Sequence, residues 1–219
     1  MFKKIAACIT ALLVLQFAYA QQPPFYDEIQ SFKRNDSLFK PLPHAILFVG
    51  SSSFRKWWDI YSYFPGYPII NRGFGGSSFP DLSRYADEII LPYRPKQILI
   101  YCGDNDLAAS DIITADSVFQ RFKQLFLLIR HQLKRTNITY VSIKPSPARA
   151  HLMPKMEQAN ALIKTFLSNQ KNTAFVDVYH LMLNPDGTPI KDLFIEDQLH
   201  MNAKGYTIWQ QAIEPFLIK

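Results

Sequence analysis

The sequence predicts an α/β protein: a three-layer α/β/α sandwich built on a five-stranded parallel sheet. Three observations carry that prediction. Short apolar runs, suited to strands buried on both faces, alternate with longer segments of helical period, the pattern of right-handed βαβ units. No repeat, low-complexity tract or linker divides the chain. The small and polar residues able to do chemistry follow directly on the ends of the apolar runs, so one edge of one sheet would carry them all.

Residues 1–20 read as an export signal. Lys3 and Lys4 precede an apolar run over 5–17, and Ala18-Tyr19-Ala20 forms a cleavage site before Gln21. The run is shorter than the roughly 20 apolar residues that span a bilayer. The expectation is an exported protein, periplasmic or extracellular, with residues 21–219 as one domain and no membrane insertion after cleavage; an uncleaved anchor is the alternative. Ile5-Ala6-Ala7-Cys8 lies too near the start to be a lipidation box.

Helical spacing of Ile29, Phe32 and Leu38 predicts a helix over 26–39, closed by Pro41 and Pro43. The first strand is 45–49, and a helix over 54–64 stops at Pro65-Gly66. A second strand over 68–71 precedes a helix over 81–91 that Pro92 ends. The third strand is 97–102. The helix over 115–134 carries Val118, Phe122, Leu125, Phe126, Ile129 and Leu133 on one face. A fourth strand over 138–143, a helix over 155–168, a fifth strand over 174–178 and a closing helix over 203–216 complete the chain.

Charge and cysteine content narrow the function. The formal charge of +6 falls by two when Lys3 and Lys4 leave with the signal. No Lys/Arg block of the kind that tracks a nucleic-acid backbone remains, so no nucleic-acid partner is expected. Cys8 leaves too, and Cys102 alone cannot make an internal disulfide; in its apolar run it reads as a small buried residue.

The chemistry lies at the strand ends. After the first strand comes Gly50-Ser51-Ser52-Ser53, either a Ser-rich helix cap or a nucleophile turn with backbone N–H groups beside it. Gly75-Gly76 after the second strand is either a tight turn or backbone able to approach a ligand closely. Asn105 after the third is a turn residue or a side-chain donor for an oxyanion. Asp197 and His200, three apart before a helix, form a carboxylate and an imidazole that it can orient, or an incidental pair. A hydroxyl, a base, an orienting carboxylate and oxyanion donors are what acyl transfer by serine requires. Their order along one edge favours that reading over four separate accidents.

These residues resemble the SGNH, or GDSL-type, serine hydrolases over about residues 46–216. Gly50-Ser51-Ser52 matches that family's Gly-Asp-Ser, with Ser51 in place of the Asp, and Asn71-Arg72-Gly73-Phe74-Gly75-Gly76 its second block. Gly103-Asp104-Asn105-Asp106 matches the third block and Asp197-Gln198-Leu199-His200 the fourth. The resemblance implies a flavodoxin-like fold, a Ser52-His200-Asp197 triad, and an oxyanion hole made of the Ser52 N–H, the Gly76 N–H and the Asn105 side chain. It implies no metal and no cofactor. In place of the Asp, the Ser51 hydroxyl is expected to hold the nucleophile turn more weakly. Arg149, Phe194 and Trp58 fall near the same edge and are expected as substrate contacts, with solvation or core packing as the alternatives.

The function implied is an esterase acting on a small acyl ester, such as an acetyl group on a carbohydrate. A lysophospholipase or platelet-activating-factor-acetylhydrolase-like lipid esterase is the alternative, because the second and fourth blocks resemble that branch. A non-catalytic binding module on a hydrolase scaffold is the alternative of another class. A nucleotide-binding protein is disfavoured, since no phosphate-cradling Gly-rich loop follows the first strand.

Overall fold

A computed structural model describes residues 22–219; the segment expected as an export signal lies outside the described residues. Five parallel strands form one sheet: β1 Ile46–Gly50, β2 Ile69–Gly73, β3 Gln97–Tyr101, β4 Asn137–Val141 and β5 Thr173–Val176. Their order is β2-β1-β3-β4-β5, the doubly wound flavodoxin-like arrangement. Gly50 pairs with Gly73 on one side and Tyr101 on the other, so three strands finish level at the carboxyl edge.

The central strands read as continuous apolar runs because both faces are covered. Leu47 and Val49 join Ile98 and Ile100 in one core, beneath helices Phe79–Arg84, Ala115–Gln132 and Met153–Ser168. Ile46 and Phe48 join Leu99 and Tyr101 in the other, against Phe54, Trp57, Ile60, Trp209 and Ile213. The two cores follow the period of two along each strand. Among the described residues no helix is long and apolar enough to cross a membrane.

Two expected helices are broken. The segment 54–64 forms Ser52–Arg55 and Ile60–Tyr63 with a turn between them. The Asn71 side chain donates to the Phe54 carbonyl at 2.8 Å, an acceptor that a continuous helix would give to Trp58. Trp57 then turns inward to full burial while Trp58 stays 80% exposed. The segment 81–91 forms Phe79–Arg84 and Ala86–Ile89, hinged at Tyr85, whose hydroxyl donates to the Pro24 carbonyl at 2.6 Å. β5 ends at Val176, and two and three residues on, the Val178 and Tyr179 amides donate to the Ser142 hydroxyl at 3.0 Å each.

Candidate active site

β1 ends on Gly50 because no larger residue fits. A Cβ there would stand 1.9 Å from the Tyr101 carbonyl oxygen, and φ is +151°. The chain turns through extended Ser51 into the helix Ser52–Arg55. Ser51 and Ser53 are buried, whereas Ser52 is partly exposed. Ser52 Oγ lies 2.9 Å from His200 Nε2. The register that assigns the middle hydroxyl of the three is therefore the one facing an imidazole.

The Ser51 side chain does not hold this turn. Its Oγ is buried without a hydrogen-bond partner among the described residues, which corrects the expectation of a weaker substitute for aspartate. Backbone bonds do the holding: Ser51 N–H donates to the Tyr101 carbonyl, and Phe54 and Arg55 N–H to the Ser51 carbonyl. The Tyr206 hydroxyl adds a bond to the Ser53 carbonyl at 2.9 Å, with its ring stacked on Trp57 at 4.8 Å.

Asp197 and His200 lie in the loop ahead of the helix Ala203–Ile213. One Asp197 oxygen accepts the N–H groups of Leu199 at 2.9 Å and His200 at 2.8 Å. That turn brings the other oxygen to 2.6 Å from His200 Nδ1. Desolvation pushes the Asp197 carboxyl upward, but the bonds from the His200 ring and from the two amides outweigh it and hold the pKa down to about 2. A carboxylate at Nδ1 favours the tautomer with the proton there, leaving Nε2 to accept from Ser52.

The remaining sequence-predicted groups reach the same rim. Gly76 has φ +76°, and a Cβ would meet nothing within 4 Å, so its requirement is conformational. Neither Gly76 N–H nor Ser52 N–H, at the open start of its helix, has an acceptor among the described residues. Asn105 Nδ2 donates to the Ser77 carbonyl at 3.0 Å, which leaves its second N–H unengaged. Ser77 Oγ donates to the Gly50 carbonyl at 3.1 Å, as does the Phe74 N–H at 3.0 Å. The turns after β1, β2 and β3 are thus bonded to one another. Among the described residues no three His, Cys, Asp or Glu side chains gather as a metal set would.

The model of the GDSL-like lipase/acylhydrolase family matches residues 48–208. The chain belongs to that family. Its fold recurs in a provisionally named acylhydrolase of Bacteroides fragilis, 19% identical over 90% of this chain and 97% of that one, with a TM-score of 0.77. A GDSL-like lipase of Bacteroides thetaiotaomicron is 18% identical, covering 86% and 96%, with a TM-score of 0.74. A catalytic mutant of an acetylxylan esterase from Geobacillus stearothermophilus is 16% identical, covering 82% and 97%, with a TM-score of 0.63. No curated protein matches the chain.

In this GDSL-like protein the three expected substrate contacts part company. Arg149 is not simply solvated. Its Nη2 donates to Asn105 Oδ1 at 2.9 Å, and its Nη1 stands 3.0 Å from the Asp104 carboxylate. Phe194 is 5% exposed, packed in the second core with the Lys144 ammonium 5.5 Å from its ring centre. Its ring packs in that core rather than standing in solvent. Trp58 lies beyond the end of the helix Ser52–Arg55, exposed.

Sequence reasoning gave no separate role to Asn71, Ser77, Lys144 and Tyr206, whose side chains tie the turns of the rim together. Their signal is weak: each is a polar residue whose partner is a backbone carbonyl distant in sequence. It also passed over a second Asp-x-x-His, Asp177 to His180. There Nδ1 meets the carboxylate at 2.8 Å, but the side chain is 64% exposed and no serine partners it among the described residues.

Proposed function

We propose that the protein is an exported serine esterase that hydrolyses a small acyl ester by way of an acyl-enzyme. The observation that carries the proposal is the 2.9 Å contact between Ser52 Oγ and a His200 ring whose other nitrogen is held by Asp197. Ser52 Oγ attacks the ester carbonyl carbon while His200 Nε2 takes the hydroxyl proton. The Ser52 N–H, the Gly76 N–H and the Asn105 amide donate to the oxyanion. Collapse of the tetrahedral adduct breaks the bond to the alcohol, which leaves with the proton from His200. Water, deprotonated by the same imidazole, then attacks the acyl carbon; the bond to Ser52 Oγ breaks as that oxygen takes the proton back from His200, and the acid is freed. Asp197 stays ionised throughout and stabilises the imidazolium.

The substrate class proposed is an acetyl ester on a carbohydrate. The export signal read in residues 1–20 and the acetylxylan esterase among the structural neighbours support it. The test treats the protein and its Ser52→Ala variant with p-nitrophenyl acetate and a fluorophosphonate probe. Turnover and labelling by the parent alone are expected. A parent that does neither would leave a binding module, and a variant that labels equally would displace Ser52. Acetate release from acetylated xylo-oligosaccharide, compared with release from a short-chain acetyl phospholipid, decides the substrate.

A further inference from the structure

Lys144 follows β4 and is 1% exposed, a rare setting for an ammonium. Its Nζ donates to the Leu199 carbonyl at 2.8 Å, the peptide between Asp197 and His200. It also sits over the Phe194 ring, at the start of the same loop. The segment after β4 grips that loop a second time, through the Ala148 N–H to the Gln198 carbonyl at 3.1 Å. Gln198 has φ +53°, a conformation that side chains other than glycine seldom take and that must be held from outside. An apolar side chain would fill this space without the cost of desolvating a charge. Packing alone does not call for a lysine here.

We propose that Lys144 is a positioning residue: its buried ammonium holds the Leu199 carbonyl, and through it keeps the His200 imidazole within reach of Ser52. The proposal rests on the esterase reading. The charged groups around Lys144 are Asp104, Arg149 and Asp197, with His200 bonded to the last and the Tyr101 hydroxyl against the Lys144 backbone. Burial lowers the Lys144 pKa to about 8, against the pull of Asp104 and with the push of Arg149. Below that pH the clamp is a charge-assisted bond. Above it the bond is an ordinary amine donor, about half as strong.

The test is the pH dependence of kcat for phenyl acetate in the parent, Lys144→Met and Lys144→Arg. The parent should lose activity on an alkaline limb near pH 8. Lys144→Arg should carry that limb to higher pH, because guanidinium keeps its proton. Lys144→Met should lack the limb, with kcat at neutral pH roughly 10- to 100-fold lower. Its KM should stay within about threefold of the parent. Its melting temperature should stay within about 4 °C of the parent's, so that the fall in kcat is not a loss of fold. A parent without an alkaline limb, or a Met variant with the parent's kcat, overturns the proposal. If the parent hydrolyses no ester at all, the esterase reading fails separately. The downfield His200 Nδ1 proton in NMR spectra then decides the lysine's role: lost in Lys144→Met it supports the clamp, and equal in both proteins it overturns it.

Discussion

Replacing Arg149 with alanine should lower both turnover and stability, for two separable reasons. The Asn105 amide is pinned at both ends, by Ser77 at 3.0 Å and by Arg149 at 2.9 Å, so its plane and its free N–H have one direction. Removing an entire oxyanion donor costs about 10²–10³ in kcat. Releasing one of two pins leaves the donor present but able to rotate, so Arg149→Ala should cost roughly 10- to 100-fold, less than Asn105→Ala. The Asp104 side chain is 5% exposed and would lose its paired guanidinium, keeping the Asn105 N–H at 3.0 Å and the nearby Lys144 ammonium. Breaking a buried ion pair costs about 3 kcal/mol at the low end of its range, the end expected while Lys144 still compensates in part. In a domain of this size that is a fall of roughly 6–12 °C in melting temperature.

Steady-state kinetics with p-nitrophenyl acetate on Arg149→Ala, Asn105→Ala and the double variant form a cycle that isolates the coupling. In the Asn105→Ala background the arginine has no amide left to orient, so its removal should change kcat less than about threefold. Arg149→Lys restores the charge beside Asp104 without the fork, and should recover melting temperature but not turnover. Equal kcat penalties for Arg149→Ala in both backgrounds would refute the argument, since the arginine would then act independently of Asn105.

Two further outcomes follow from the site. Asp177→Asn and His180→Ala should each leave ester turnover within about twofold of the parent, because an exposed dyad without a hydroxyl has no part in acyl transfer. Asp197, with its folded pKa lowered from 3.8 to about 2, contributes stability that is present above pH 4 and lost as pH falls toward 2. Asp197→Asn should flatten that acid segment of a urea-denaturation series and lower kcat at neutral pH, by up to about 10⁴. The stability change will be small, because the carboxylate is 43% exposed.

The sheet was legible because each central strand is buried on both faces and must therefore be an unbroken apolar run: residues 46–50 and 97–101 look alike for that reason. The site residues were legible because strand ends are where such a sheet presents its turns, and Gly50 and Gly76 mark two of them. Helix continuity was not legible. Helical period persists across 54–64, yet Asn71, seventeen residues away from Phe54, takes the carbonyl that would have continued the ladder. A competing acceptor or donor from another element leaves no trace in local periodicity. Arg149 and Phe194 illustrate the same limit. Both lie beside the rim by topology, but which of them turns outward depends on Asp104, Asn105 and Lys144, residues on other strand ends.

The two Asp-x-x-His segments show what spacing alone conveys. Asp177 bonds the His180 amide at 3.2 Å and the ring at 2.8 Å; Asp197 bonds the His200 amide at 2.8 Å and the ring at 2.6 Å. The four-residue pattern therefore encodes a local turn that orients an imidazole, and it does so in both places. What differs is set from outside the turn. At 197–200 a lysine beneath the loop and an amide beside it tie the segment to the end of β4, so that Nε2 meets Ser52 from 148 residues away in sequence. At 177–180 the ring faces solvent, with its side chain 64% exposed. The chemistry of the pair is written in four residues, but its use is decided by which strand end the turn is fastened to.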